Sequence, residues 1–298
     1  MHLNHWNLFI KPALDCIELS HIVEIGADKG ATTTRVLEYC RTMGSRLTTI
    51  DCAPSKQIVE INKKNSDIHI LNDKTSLEVL PELSDYEAIL IDGDHNWYTV
   101  YHELKAIEKA YNPLGRLPLL FFHDVAWPYA RRDMYYDPER VPKKFRQKNA
   151  QKGVLPGVQG LLEGYGLNRL FYNALYEGGP RNGVLTAIED FVKESKYAFR
   201  LSVFNGYWGF ALLASEETLK RFPSLVKVFD LVEWSVPLGD TMQELNYVAV
   251  RMNFGAEDIG QGFIIKQGTD SMLEHAFKNS RWIKLGRKLG FLKGVKVD

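Results

Sequence analysis

The sequence is poor in cysteine. Its three cysteines, Cys16, Cys40 and Cys52, stand far apart and form no CxxC pair. Neither a disulfide framework nor a cysteine zinc site is therefore readable, and free thiols suit a reducing compartment. No hydrophobic run reaches the roughly 18 residues that a membrane-spanning helix requires. The opening stretch, MHLNHWNLFIKPALDC, has neither the basic start nor the apolar length of a signal peptide, so the expected location is the cytoplasm. Net charge is missing too, since 37 Lys plus Arg balance 37 Asp plus Glu. A partner held mainly through its phosphates needs clustered excess cations, and nucleic acid is not an expected partner. What is there is an ordinary soluble composition, 45% apolar and 25% charged. A chain of 298 residues can bury a core and carry an appended subdomain.

Short apolar runs alternate with amphipathic ones through residue 125. His21–Gly26, Arg46–Asp51, Asp67–Leu71, Tyr86–Asp92 and Leu117–Asp124 read as strands. Helices are expected at Ala31–Met43, near Lys56–Lys64, around Thr75–Leu83 and at Thr99–Tyr111. Continuous apolar strands separated by helices indicate a parallel sheet covered on both faces, hence a doubly wound α/β fold. Residues 126–183 are rich in Pro, Gly, Tyr and Arg and lack periodicity, as an inserted lid or substrate region would be. Order returns with a helix at Gly183–Ser195, then two apolar runs, Ala198–Phe204 and Tyr207–Ala214, joined by the hairpin signal Asn205-Gly206. The domain reading is a core of residues 1–125 and 184–215, the insertion 126–183, and a helical C-terminal extension 216–298.

The first strand runs into Glu24-Ile25-Gly26-Ala27-Asp28-Lys29-Gly30. Two glycines permit a sharp turn and close approach of a ligand, and the following helix offers free N–H groups. The spacing is GxxxG rather than the dinucleotide GxGxxG. Asp51 ends the second strand where a carboxylate reaches a ribose diol. This order of strand, turn, helix, strand and acid suits a nucleoside-type ligand.

The fourth strand ends in Ile91-Asp92-Gly93-Asp94-His95 and the fifth in His123-Asp124. In the expected sheet order these strands are neighbours beside the first. Asp92, Asp94, His95, His123 and Asp124 then converge on the crevice where α/β proteins bind ligands. Packing has no need of five ionisable groups at one edge. Chemistry at a hydroxyl does need such groups, because the reacting centre must be in line with the oxygen and a base must take the proton, for which histidine is poised near neutral pH. A metal can lower the hydroxyl's pKa.

On the motif EIGADKG with Asp51, the chain resembles class I S-adenosylmethionine-dependent methyltransferases. An antiparallel hairpin closing the sheet after the fifth strand agrees with them. The resemblance implies cofactor contacts at Glu24, Gly26, Gly30, Asp51 and Asp92, with Gly26 and Gly30 bracketing the methionine part and Asp73 and Ser76 at adenine. The segment IDGDH with the later His-Asp pair is similar to a narrower group, the metal-dependent sugar and macrolide O-methyltransferases related to macrocin O-methyltransferase and the cephalosporin-hydroxylase-like proteins. That resemblance implies Asp92, His123 and Asp124 as metal ligands and His95 as the base. The group carries Glu where this chain has His123, and imidazole suits manganese, iron or zinc better than magnesium.

Trp127, Tyr129, Arg131, Arg132, Tyr135, Tyr136, Arg181 and Asn182 follow from Asp124 and are expected to overhang the cluster, offering aromatic faces and guanidinium forks to a sugar or other small-molecule acceptor. Asn279–Lys296 interleaves basic and apolar residues, a composition found both in terminal helices docked on a core and at membrane surfaces. A homo-oligomer stays open. The leading function is an S-adenosylmethionine-dependent O-methyltransferase. The alternatives are a nicotinamide-dependent oxidoreductase, a metal-dependent hydrolase, and a non-catalytic module with a relic site.

Overall fold

The computed structural model describes residues 1–111 and 117–254. The basic segment Asn279–Lys296 lies outside them. The chain opens with α1 (Leu3–His5), a π-helical turn at Trp6–Ile10 and α2 (Lys11–Leu14). Then come β1 (His21–Ile25), α3 (Ala31–Met43), β2 (Arg46–Ile50), α4 (Lys56–Lys64), β3 (His69–Asn72), α5 (Ser76–Val79), β4 (Ala88–Ile91), α6 (Trp97–Tyr111) and β5 (Leu119–His123). The insertion carries β6 (Met134–Tyr135), β7 (Asn149–Gln151) and β8 (Tyr172–Ala174). Next follow α7 (Val184–Glu194), β9 (Phe199–Phe204), β10 (Phe210–Ser215), α8 (Glu216–Arg221), α9 (Leu225–Trp234) and α10 (Val236–Phe254).

Seven strands form one mostly parallel sheet in the order β3-β2-β1-β4-β5-β10-β9. The first five pair in parallel, while β10 runs antiparallel to both β5 and β9. This is the doubly wound α/β architecture expected from the apolar runs, closed by the expected antiparallel pair. Alternate residues of each central strand face opposite layers. Ile22, Leu90 and Phe121 pack under Phe9 and Ile10 of the N-terminal segment, Val36 of α3 and Phe229 of α9. Val23, Ile89 and Leu120 pack against Val100 and Leu104 of α6 and Phe191 of α7.

Local chemistry ends the helices where the site needs them. Gly30 (φ 86°) begins α3 and Gly44 (φ 68°) ends it, both in the left-handed region that glycine enters without strain. A capping box of Thr75 and Glu78 starts α5.

Three differences from the sequence reading matter. Strand four is Ala88–Ile91 rather than Tyr86–Asp92, and strand five is Leu119–His123, so Asp92 and Asp124 stand just past the ladder. Asn205-Gly206 does not make a two-residue turn: the connection runs to Gly209, with Tyr207 (φ 53°), Trp208 (φ 69°) and Gly209 (φ 97°) all left-handed. The first 20 residues, given no element from sequence, lay a helical layer across one face of the sheet. Among the described residues no helix is long and apolar enough to cross a membrane.

Phe210 pairs with His123 across β10 and β5. It is fully buried, with its ring centroid 5.2 Å from that of Phe9. Phe210→Ala should cost about 3–5 kcal/mol, read as a lowered denaturation midpoint in urea at unchanged slope.

Candidate functional site

Strands β1 and β4 run side by side, with Ile25 opposite Ile91, and the turn after β1 folds onto the end of β4. Gly26 adopts φ 81°, and a Cβ there would lie 2.3 Å from the Asp92 carbonyl oxygen. A Cβ on Gly30 would lie 2.5 Å from Ile61 Cδ1. Both glycines are therefore required by close packing as well as by conformation. Asp51 accepts hydrogen bonds from the amides of Ala27 (3.0 Å) and Ala53 (3.0 Å), so the acid ending β2 braces the turn. Glu24 is buried, and one carboxylate oxygen accepts from the hydroxyls of Thr33 (2.7 Å) and Thr49 (3.0 Å). Its other oxygen has no partner. Burial outweighs those hydroxyls and raises Glu24 to about 7.

Asp73 is exposed. Ser76 is buried at the start of α5, and its hydroxyl donates to Glu103 of α6, a contact sequence reading did not foresee. Glu103 is wholly buried and its second oxygen has no partner. Burial raises it to about 8, against the opposing pull of the Ser76 bond.

The acids and imidazoles gather at the ends of β4 and β5. His95 Nε2 lies 2.6 Å from Asp124 Oδ2 and 4.0 Å from Asp92 Oδ1. His123 Nδ1 lies 3.0 Å from Asp124 Oδ2 and 3.3 Å from Asp92 Oδ1, while its Nε2 faces the Tyr207 carbonyl at 3.1 Å. A carbonyl only accepts, so Nε2 of His123 carries a hydrogen. Nδ1 then faces oxygens of both carboxylates. Burial alone would push Asp124 up, but His123 and His95 beside it hold its carboxyl far below the usual range. Asp124 itself takes φ 55°. Ligand atoms of Asp92, His95 and Asp124 all fall within 4.8 Å of one another. This trio contains the imidazole assigned from sequence to the base, with His123 immediately beside it.

Asp94 turns aside, accepting from the Thr99 hydroxyl (2.9 Å) on α6. Of the insertion residues expected over the cluster, two approach it. Tyr136 brings its hydroxyl to 3.4 Å from His95 Nδ1, and the Tyr129 ring stands 5.4 Å from the His95 ring. The others are committed elsewhere. Arg131 pairs with Glu189, buried Arg132 donates to the carbonyls of Ala174 and Gln159, and Arg181 lies over the rings of Trp97 and Phe145. Trp127 packs on Tyr247, Tyr135 donates to Asp133, and Asn182 accepts from the Asp133 amide. Sequence reading missed the N-terminal residues that flank the cluster. The amino nitrogen of Met1 bonds Asp92, and His2 stacks on Tyr207 with centroids 4.1 Å apart. No periodic signal in the first residues points there.

Residues 23–125 match a family model described as a methyltransferase domain. No curated protein matches the chain in sequence. Three solved structures are reported for comparison. A Podospora anserina methyltransferase bound to S-adenosylhomocysteine is 15% identical, with 72% of this chain and 78% of that chain covered and a TM-score of 0.43. A Burkholderia thailandensis 1,6-didemethyltoxoflavin-N1-methyltransferase is 10% identical, with coverage of 69% and 76% and a TM-score of 0.39. An O-methyltransferase from neocarzinostatin biosynthesis is 10% identical, with coverage of 71% and 54% and a TM-score of 0.38. The family match spans the glycine turn, the acid after β2 and both acidic strand ends. Residues 23–125 are thus similar to a methyltransferase domain over about the first two fifths of the chain.

Two measurements follow. Gly26→Ala forces a Cβ onto the Asp92 carbonyl at a left-handed φ and should lower stability by about 2–3 kcal/mol, seen as a drop in melting temperature. Glu103 holds an extra proton in the folded state between its unfolded value of 4.5 and its folded value of about 8. Its contribution is present below the lower value and lost as pH rises through the upper one, at up to about 1.4 kcal/mol per pH unit. Denaturation of Glu103→Gln across that window should show a flatter pH dependence than wild type.

Proposed function

We propose that the protein transfers the methyl group of S-adenosylmethionine to a hydroxyl of a small-molecule acceptor, a sugar or similar polyhydroxylated compound, with His95 as the base. The observation that carries this reading is the orientation of His95. Its Nε2 points at the Asp124 carboxylate, an acceptor, and so bears the hydrogen. Nδ1 keeps its lone pair on the side where the Tyr136 hydroxyl already stands, which is where an acceptor hydroxyl would hand over its proton.

S-adenosylmethionine supplies an electrophilic methyl on sulfonium. The turn Gly26–Gly30 would border its methionine part beside β1, and the unpartnered oxygen of Glu24, with Asp92, offers negative charge to its ammonium. Asp51 retains lone pairs for the ribose diol, and Asp73 and Ser76 border the adenine end. As the acceptor oxygen attacks, His95 Nδ1 takes the proton, and Asp124 stabilises the imidazolium that forms. Tyr136 gives the acceptor an aromatic wall. The insertion's arginines do not, since they are paired or stacked elsewhere, and this favours a neutral acceptor.

Asp92, His123 and Asp124 would hold a divalent cation, which supplies a lowered hydroxyl pKa. His123 Nδ1 faces oxygens of both acids, and with an imidazole among them the set suits manganese, iron or zinc better than magnesium. The likeness of IDGDH and the His-Asp pair to the sugar and macrolide O-methyltransferases supports the same set.

Calorimetry should detect S-adenosylhomocysteine binding, and no heat at millimolar ligand would remove the reading. His95→Ala should cut turnover by about 10²-fold or more while still binding that ligand, and Asp92→Ala should cut turnover at least as much and weaken that binding; wild-type rates in either would show that the cluster is not catalytic. EDTA should abolish turnover and added Mn²⁺ restore it, whereas full activity in EDTA would assign the reaction to His95 and Asp124 without metal.

A further inference from the structure

We propose that Asp133, a residue of the insertion, is a positioning residue for His95; the proposal rests on the reading of His95 as the base. Asp133 is fully buried, where a carboxylate is costly unless its oxygens are satisfied. One oxygen accepts from the amides of Trp97 (2.7 Å) and Gly183 (2.6 Å), and the other from the Tyr135 hydroxyl (2.7 Å). Trp97 opens α6 and Gly183 immediately precedes α7. Asp133 therefore holds the leading ends of two helices together, and the positive ends of their dipoles favour its charge.

His95 stands two residues before Trp97. Its carbonyl accepts from the amide of Met134, the residue after Asp133, at 2.9 Å. Two consecutive residues of the insertion thus grip the backbone on both sides of Asn96, one at the His95 carbonyl and one at the Trp97 amide. The His95 ring reaches Asp124 over a single 2.6 Å bond. A loosened backbone would let the ring swing out of that bond, and with it the nitrogen that bears the lone pair. None of the groups gripping this backbone belongs to the methyltransferase-like core strands. The insertion sets the base.

The test uses the full chain labelled with ¹⁵N-histidine, as wild type, Asp133→Ala and Asp133→Asn. In the wild type, His95 should show a single tautomer with hydrogen on Nε2. Asp133→Asn keeps an oxygen able to accept both amides and should retain that spectrum. Asp133→Ala should show mixed tautomers at His95 while the other histidines keep their signals and S-adenosylhomocysteine affinity stays within about threefold. Should the alanine variant not fold, Asp133→Ser, whose shorter side chain cannot bridge both amides, is expected to give the same mixed spectrum. An unchanged His95 signal in the folded alanine or serine variant overturns the proposal, as does a simultaneous change of all histidines, which would mark a general structural role. Failure of the wild type to bind S-adenosylhomocysteine would sink methyl transfer and leave the tautomer comparison intact.

Discussion

Two carboxylates and two imidazoles meet at the ends of β4 and β5 with their acceptor atoms turned inward, and the site depends on the positive charge that such a meeting demands. At an effective dielectric near 20, unit charges about 4 Å apart interact by about 4 kcal/mol, and the amino nitrogen of Met1 already offsets part of this at Asp92. The arrangement is imposed by the sheet. Strand β4 lies between β1 and β5, in parallel register with both, and each strand stops one residue before its acid. A group that left the ladder earlier or later would face the other layer, because side chains alternate along a strand.

Much of this was legible in sequence because it follows from short-range chemistry. Runs such as HIVEI and LLFFH are largely apolar on both faces, as a covered parallel strand is, and both proved buried. The glycine turn and the strand-end acids announced themselves by type and position. What stayed hidden depends on partners distant in the chain. Nothing in the sequence around Ser76 shows that Glu103 of α6 will take its hydroxyl. Arg131 and Arg132 look alike in sequence, yet one pairs with Glu189 at the surface and the other is buried against carbonyls. Asn205-Gly206 is a strong turn signal by itself, but β10 must meet β5 in a register that places Phe210 opposite His123, and the connection lengthens to Gly209 to allow it.

The insertion also differs in kind from what its composition suggests. Its polar and aromatic residues mostly build its own interior or fasten it to the core. Its small antiparallel sheet, in the order β6-β8-β7, is linked to the loop after β4 by the bridge between Met134 and His95. Tyr136, half exposed, remains for whatever lies over His95. Recognition by aromatic faces is tolerant of hydroxyl pattern in a way that fixed guanidinium pairs are not.

The two ends of the insertion are tied to each other. The amide of Val184 donates to the Tyr129 carbonyl at 2.9 Å and that of Leu185 to Ala130 at 3.1 Å. Chain leaving the sheet after Asp124 therefore returns beside its point of exit before α7 begins. With the neck closed, the entropy of the enclosed stretch grows only logarithmically, by about 0.6 kcal/mol for each doubling of its length. Apart from Asp133 and Met134, which hold α6 and the His95 backbone, segments beyond the neck can be lengthened or trimmed at little entropic cost.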